Sequence, residues 1–171
     1  MEFDKLGLIR FWIKRIVRGA DQIQVISSYL RDYVLRRGAR CPITVVPNGV
    51  NLNLFDRDRP LAEEEILRNG LGISDQEKVI VTTSRLAYKN GVDTLIRSIV
   101  FLDRTFKLVI VGDGADRAAL EQLTQSLNLN DRVIFVGQVV QNKLPLYLKL
   151  GDVFVRTSRS EGLGNSFLEA M

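Results

Sequence analysis

Two carboxylates, Glu161 and Glu169, flank a Gly-x-Gly turn in the run Glu161-Gly-Leu-Gly-Asn-Ser-Phe-Leu-Glu169. Gly162 and Gly164 let a backbone approach a ligand closely or take positive φ. Asn165 or Ser166 is placed to cap a helix whose free N–H groups and dipole favour an anion. One carboxylate then stands before an anion cradle and the other a turn inside the helix. That spacing suits a ligand with a phosphate between two hydroxyl-bearing rings, as in a nucleotide-sugar. Two roles are open to Glu169, because Ser166-Phe-Leu-Glu169 also has capping-box spacing, with the Glu turned back to the cap residue's N–H. Glu161, in a Gly-rich loop, has no structural task legible in the sequence.

These residues must be positioned by what precedes them. Short β-branched runs at 43–46, 78–83, 107–111, 132–136 and 152–156 read as strands. Helical stretches follow at 92–102, 115–127, 142–150 and from Asn165 onward. Strands alternating with helices predict an α/β fold, a Rossmann-like parallel sheet with helices on both faces. In such sheets ligands bind beyond the carboxyl ends of the strands. The loops at those ends are Ser84 to Gly91, Gly112-Asp-Gly114, Gly137-Gln138-Val139 and Ser158 to Gly162. Arg85 and Lys89, in the first loop, are cations able to balance a diphosphate. Gly112-Asp-Gly-Ala-Asp-Arg117 fails as a dinucleotide fingerprint, since Arg117 stands in place of the third Gly. That argues against a dehydrogenase.

Composition narrows the chemistry further. The 171 residues suffice for a domain with a core, and a net charge of +4 is too mild for a nucleic-acid binder. Histidine is absent, which removes Ser-His-Asp hydrolysis and His-based zinc sites. Cys41 is the single cysteine, so no internal disulfide forms and a reducing compartment is expected. No run is long enough to span a bilayer and the start lacks a signal-peptide pattern, so a cytoplasmic location is expected. Leu6, Ile9, Ile13 and Ile16 recur at helical spacing among Lys5, Arg10, Lys14, Arg15 and Arg18, with Phe11 and Trp12. This basic amphipathic helix suits either an anionic membrane surface or a neighbouring domain. Ser27-Ser28 then caps a helix from Tyr29 to Arg37 that Gly38 closes.

Five motifs in order carry a family resemblance. They are Val45-Val-Pro-Asn-Gly-Val50, Ser84-Arg-Leu with Lys89-Asn-Gly-Val-Asp93, Val109-Ile-Val-Gly-Asp-Gly114, Arg132-Val-Ile-Phe-Val-Gly137 and the Glu161/Glu169 run. Together they resemble the C-terminal, donor-binding domain of retaining GT-B glycosyltransferases of family 4, also called group 1. The resemblance covers about residues 20–171. It implies that Glu161 holds hydroxyls of the donor sugar, with Gly162, Leu163, Gly164 and Asn165 around sugar and phosphates. Glu169 would accept hydrogen bonds from the ribose diol, and Gly137, Gln138 and Val139 would meet the base. Arg85 and Lys89 would stabilise the diphosphate leaving group in place of a metal, so neither metal nor cofactor is implied beyond the nucleotide-diphosphate-sugar donor. The lysine of the commoner pattern lies one position further on, where Asn90 stands.

By the same resemblance, residues 1–40 are a remnant of the N-terminal domain and 41–171 the donor domain, truncated within a helix. Transfer to a sugar or lipid-linked acceptor in cell-envelope polysaccharide synthesis is the expected activity of the full enzyme. A catalytically inactive nucleotide-binding or interaction module is the alternative, and a related epimerase fits the motif order less well. Self-association and peripheral contact with an anionic membrane at its inner face are the further partners expected.

Overall fold

A computed structural model of the chain describes residues 7–55, 61–160 and 164–171. Two compact units are present, Met1–Gly49 and Val50–Met171.

In the first unit, α1 (Gly7–Gly19) is followed by β1 (Ile23–Val25), α2 (Ser28–Arg36) and β2 (Ile43–Val45). The two strands pair in parallel, Ile23 opposite Ile43, with α2 as the crossover. Ser27 starts α2 as expected: extended at φ −156°, its Oγ accepts the Leu30 N–H at 3.2 Å. Gly38, at φ +90°, ends it and donates its N–H to the Leu35 carbonyl at 2.9 Å. Because β2 pairs with β1, residues 43–45 group with the first unit, and the division falls at 49/50 rather than 40/41. On α1, Phe11, Trp12 and Ile16 are exposed and Val17 is buried. Among the described residues no helix is long and apolar enough to cross a membrane.

The second unit runs α3 (Leu61–Gly70), β3 (Lys78–Thr83), α4 (Val92–Ser98), β4 (Phe106–Val111), α5 (Arg117–Ser126) and β5 (Val133–Gly137). It continues through α6 (Leu144–Leu150) and β6 (Val153–Phe154) to α7 (Asn165–Ala170). The strands form one parallel sheet in the order β5-β4-β3-β6. Side chains alternate across a strand, so β3 and β4 feed two cores. Ile80, Leu108 and Ile110 meet Leu95, Ile96 and Leu120 on one face. Val79, Val81, Val109 and Val111 meet Ile73 and Leu150 on the other, with Leu67 and Leu148 packed against them. Burial on both faces is why these strands are uninterrupted apolar runs. Arg132 is buried beside them, donating to the carbonyls of Phe106 at 3.2 Å, Leu102 at 3.1 Å and Asp103 at 2.7 Å. Those bonds fix the turn into β4.

Several elements differ from expectation for local reasons. The strand expected over 152–156 is regular only at Val153–Phe154. At its start Asp152 donates its N–H to the Val79 carbonyl while its carboxylate accepts the Val79 N–H at 2.7 Å. The helix from Val92 tightens into a 3-10 turn at Ile99–Phe101, where the Ser98 hydroxyl donates back to the Leu95 carbonyl at 2.7 Å. Helix α3 was not expected at all. The capping box is not formed either: Gly164 is the N-cap of α7, and Ser166 is buried inside the helix, accepting from Arg156.

Candidate functional site

The chain leaves β5 at one side of the sheet and returns past β3 to add β6. Strand order therefore reverses beside β3, between the loops after β3 and β6. A crevice at that switch point is where open α/β sheets take ligands.

Backbone bonds stitch the loops along this edge into one row. The N–H groups of Ser84 and Leu86 reach the carbonyls of Val111 (2.9 Å) and Asp113 (3.0 Å), and the Asp116 N–H returns to Leu86 at 3.0 Å. Gly112 lies at φ +134°, and a Cβ there would stand 2.0 Å from the Ser84 carbonyl oxygen. A Cβ at Gly114 would stand 2.3 Å from that of Leu86. The two glycines of Gly112-Asp-Gly114 are thus required by loop packing, consistent with the failed dinucleotide fingerprint. Arg117, which broke that fingerprint, is paired with Asp113 at 3.2 Å and Glu121 at 2.8 Å. Gly112 also donates to the Gly137 carbonyl at 2.8 Å, joining the third loop. There Gly137 is buried at φ +83°, Gln138 is exposed and Val139 packs against the core.

The loops after β3 and β6 are joined the same way. The Thr157 hydroxyl donates to the Gly91 carbonyl at 2.8 Å, and the Arg159 N–H to the Lys89 carbonyl at 2.8 Å. A Cβ on Gly91, at φ +64°, would fall 2.1 Å from the Thr157 carbonyl oxygen. Asn90 is buried and its amide donates to the Arg85 carbonyl at 2.6 Å. The position where the commoner pattern has lysine is therefore spent on shaping the loop. Arg85 and Lys89 are both exposed, and neither side chain has a hydrogen-bond or ionic partner among the described residues. Two unneutralised cations on a firmly held loop suit an anion.

Beneath α7, the Arg156 guanidinium donates to the Thr83 carbonyl at 3.1 Å, Ser166 Oγ at 2.8 Å and Ser158 Oγ at 3.0 Å. Burial pushes the Glu169 carboxyl above its ordinary value, and the Arg156 charge pulls it partly back. Glu169 lines a hollow with Pro145, Leu148 and Phe154, on the α6 side and apart from the row holding Arg85 and Lys89. Asn165 is the exposed first residue of α7, and Gly164 before it is extended at φ −71° rather than left-handed. Glu161, Gly162 and Leu163 lie outside the described residues. The expected residues Arg85, Lys89 and Gly137 are thus brought to one edge. Of Arg156, Thr157, Arg159 and Asp93, which hold that edge, only Arg159 lies in a loop named for it; Asp93 stands in a resemblance motif, and Arg156 ends an expected strand.

Known proteins are similar to this chain in sequence and in fold. The chain is 29% identical over 172 residues to alpha-monoglucosyldiacylglycerol synthase of Streptococcus pneumoniae, covering 96% of this chain and 38% of that protein. Anabaena HepE, solved in complex with UDP and glucose, superposes with a TM-score of 0.82 at 24% identity over 94% of this chain and 44% of its own. Sucrose-phosphate synthase from Thermosynechococcus elongatus does so with a TM-score of 0.81 at 29% identity over 96% and 42%. The chain therefore spans about two fifths of the length of these relatives. Residues 4–54 match the description Glycosyltransferase Family 4, and residues 63–171 match Glycosyl transferases group 1. With that second match covering most of the chain and the switch-point sheet of a GT-B half, this protein belongs to the group 1 glycosyl transferases.

Proposed function

We propose that this chain is the nucleotide-diphosphate-sugar-binding part of a retaining glycosyltransferase that transfers a glycosyl group to a sugar or lipid-linked acceptor. The observation that carries the reading is the row of stitched loops at the switch point with Arg85 and Lys89 exposed on it. Those two cations take the diphosphate, which removes the need for a metal at the leaving group. Gln138 and the backbone at Gly137 and Val139 meet the base. Glu169 accepts from the ribose diol, and Glu161, with Gly162, Leu163, Gly164 and Asn165, holds the sugar. The HepE complex with UDP and glucose and the lipid-glycosylating synthase support that ligand class and acceptor class. Within this reading the protein works in the cytoplasm in cell-envelope assembly. Its α1, with Phe11, Trp12 and Ile16 exposed among Lys14 and Arg15, is the surface for self-association or an anionic membrane.

Calorimetric titration with UDP and with UDP-glucose tests the division of labour. Glu169→Ala should weaken both ligands, while Glu161→Ala should spare UDP and weaken only the sugar-linked donor. Losing a hydrogen bond to a charged group costs about 1.5–3 kcal/mol, or roughly tenfold to a hundredfold in affinity. Equal losses for both ligands in both variants would sink it. EDTA should leave UDP affinity unchanged, and added salt should weaken it by screening Arg85 and Lys89.

A further inference from the structure

The loop that presents the two cations is shaped from within by Asn90 and held from the β6 side by Thr157 and Arg159. What grips it comes from 66 residues further along the chain. Arg159 donates to both oxygens of Asp93, at 2.9 Å and 2.7 Å, and also to the Tyr88 carbonyl. Its guanidinium lies 4.2 Å from the centre of the Tyr88 ring, and its backbone N–H holds the Lys89 carbonyl at 2.8 Å. One residue therefore touches Tyr88, Lys89 and Asp93, which are the residues on either side of the Gly91 turn. The guanidinium reaches both Asp93 oxygens with Nη2 and the Tyr88 carbonyl with Nη1 while it lies over the Tyr88 ring, a spread of two nitrogens that a single ammonium does not reproduce. The pair lies at the surface, with about a third of each side chain exposed (31% and 34%), so its effect rests on geometry and not on burial. The Asp93 carboxyl is held below its ordinary value by its bond to Arg159, and the guanidinium is raised in turn.

We propose that Arg159 is a positioning residue for diphosphate binding: it latches the loop after β3 to the loop after β6 and so sets where Arg85 and Lys89 point. It acts through Tyr88, Lys89 and Asp93 and is not itself a phosphate ligand, since its fork is committed to Asp93 and Tyr88. Ordering the loop in advance removes an entropic cost from binding. The inference rests on the nucleotide-sugar reading for its ligand, though the latch itself does not.

Two measurements on the full chain test it. Hydrogen exchange of the segment 88–94 should quicken in Arg159→Ala, Arg159→Lys and Asp93→Asn, while exchange in β3 and β4 stays at the wild-type rate. UDP affinity by calorimetry should fall roughly threefold to tenfold in each, a size typical of coupling between contacting residues. Lys89→Ala should cost clearly less in the Arg159→Ala background than in the wild type, because a cation on an unlatched loop is already misplaced. Wild-type affinity in Arg159→Lys would mean that charge alone matters and would overturn the proposal, as would fully additive losses for Arg159 and Lys89. Unchanged exchange at 88–94 would remove the latch outright. Failure of the wild-type chain to bind UDP at all would instead count against the nucleotide-sugar reading, with the exchange measurement still deciding the latch.

Discussion

The two units of this chain are built on opposite terms. Residues 1–49 carry nine Lys and Arg against four Asp and Glu, while residues 50–171 carry fifteen against sixteen. The chain's positive excess thus belongs wholly to the smaller unit. Burial divides the other way. Among the described residues Val17 and Val25 are the only buried apolar side chains of the first unit, against seventeen in the second. The first unit leaves Phe11, Trp12, Ile16, Tyr29 and Leu35 exposed. A two-stranded sheet with two helices has too little apolar area to close a core, whereas four parallel strands covered on both faces have enough. Charge and apolar exposure together set the first unit apart from the second, whose two packed faces make it a self-supporting scaffold.

The comparison breaks most sharply by dissection. Residues 50–171 expressed alone should unfold in one cooperative urea transition, and a peptide of residues 1–49 should show none. Cooperative melting of the short piece would mean that the first unit has a sufficient core after all. Point substitution sharpens it next. Leu108→Ala, at a fully buried site of β4, should cost about 2–5 kcal/mol. Val17→Ala should cost no more than about 1–2 kcal/mol, at ~0.8 per buried carbon group. Urea midpoints of both variants at equal slope give the ranking. The smallest effect lies within the scaffold itself, between two of its carboxylates. The folded state raises the Glu169 pKa and lowers that of Asp93. Ionised Glu169 therefore destabilises the fold, and that cost appears as pH rises from the ordinary carboxylate range through its raised value. Asp93 instead stabilises the fold at neutral pH, and that contribution is lost as pH falls through its lowered value. Glu169→Gln should raise the melting temperature slightly at pH 7 and leave it unchanged near pH 3. Asp93→Asn should lower it at pH 7, with the deficit fading on acidification.

What the sequence made legible follows the same division. The apolar runs at 78–83 and 107–111 were readable as strands because both faces of β3 and β4 are buried, and the loop glycines marked the carboxyl edge. Helix α3 was not readable, since Glu63, Glu64 and Glu65 stand beside an exposed Ile66 and Leu67 packs inward only partly. Nor could local pattern show that Asn90 is buried or that Arg159 meets Asp93. The first depends on a carbonyl five residues back, and the second on the crossing from β5 to β6 that brings distant loops together. Of the two roles left open for Glu169, the capping box is not formed, because Arg156, from the loop after β6, claims the Ser166 hydroxyl.

That crossing also orders events in time. Contacts between β3 and β4 join residues such as Val81 and Val109, whereas β6 must return to Val79 across 73 residues. Loop closure grows dearer with length and long-range pairing is slow. Strands β3, β4 and β5 are therefore expected to assemble first during synthesis and refolding, with β6 docking last. Pulse-labelled hydrogen exchange would show this as late protection of Val155, whose N–H pairs with Val81. The joined loops after β3 and β6 exist only once β6 has docked, so a nascent chain gains its scaffold before it gains the edge proposed to hold a ligand.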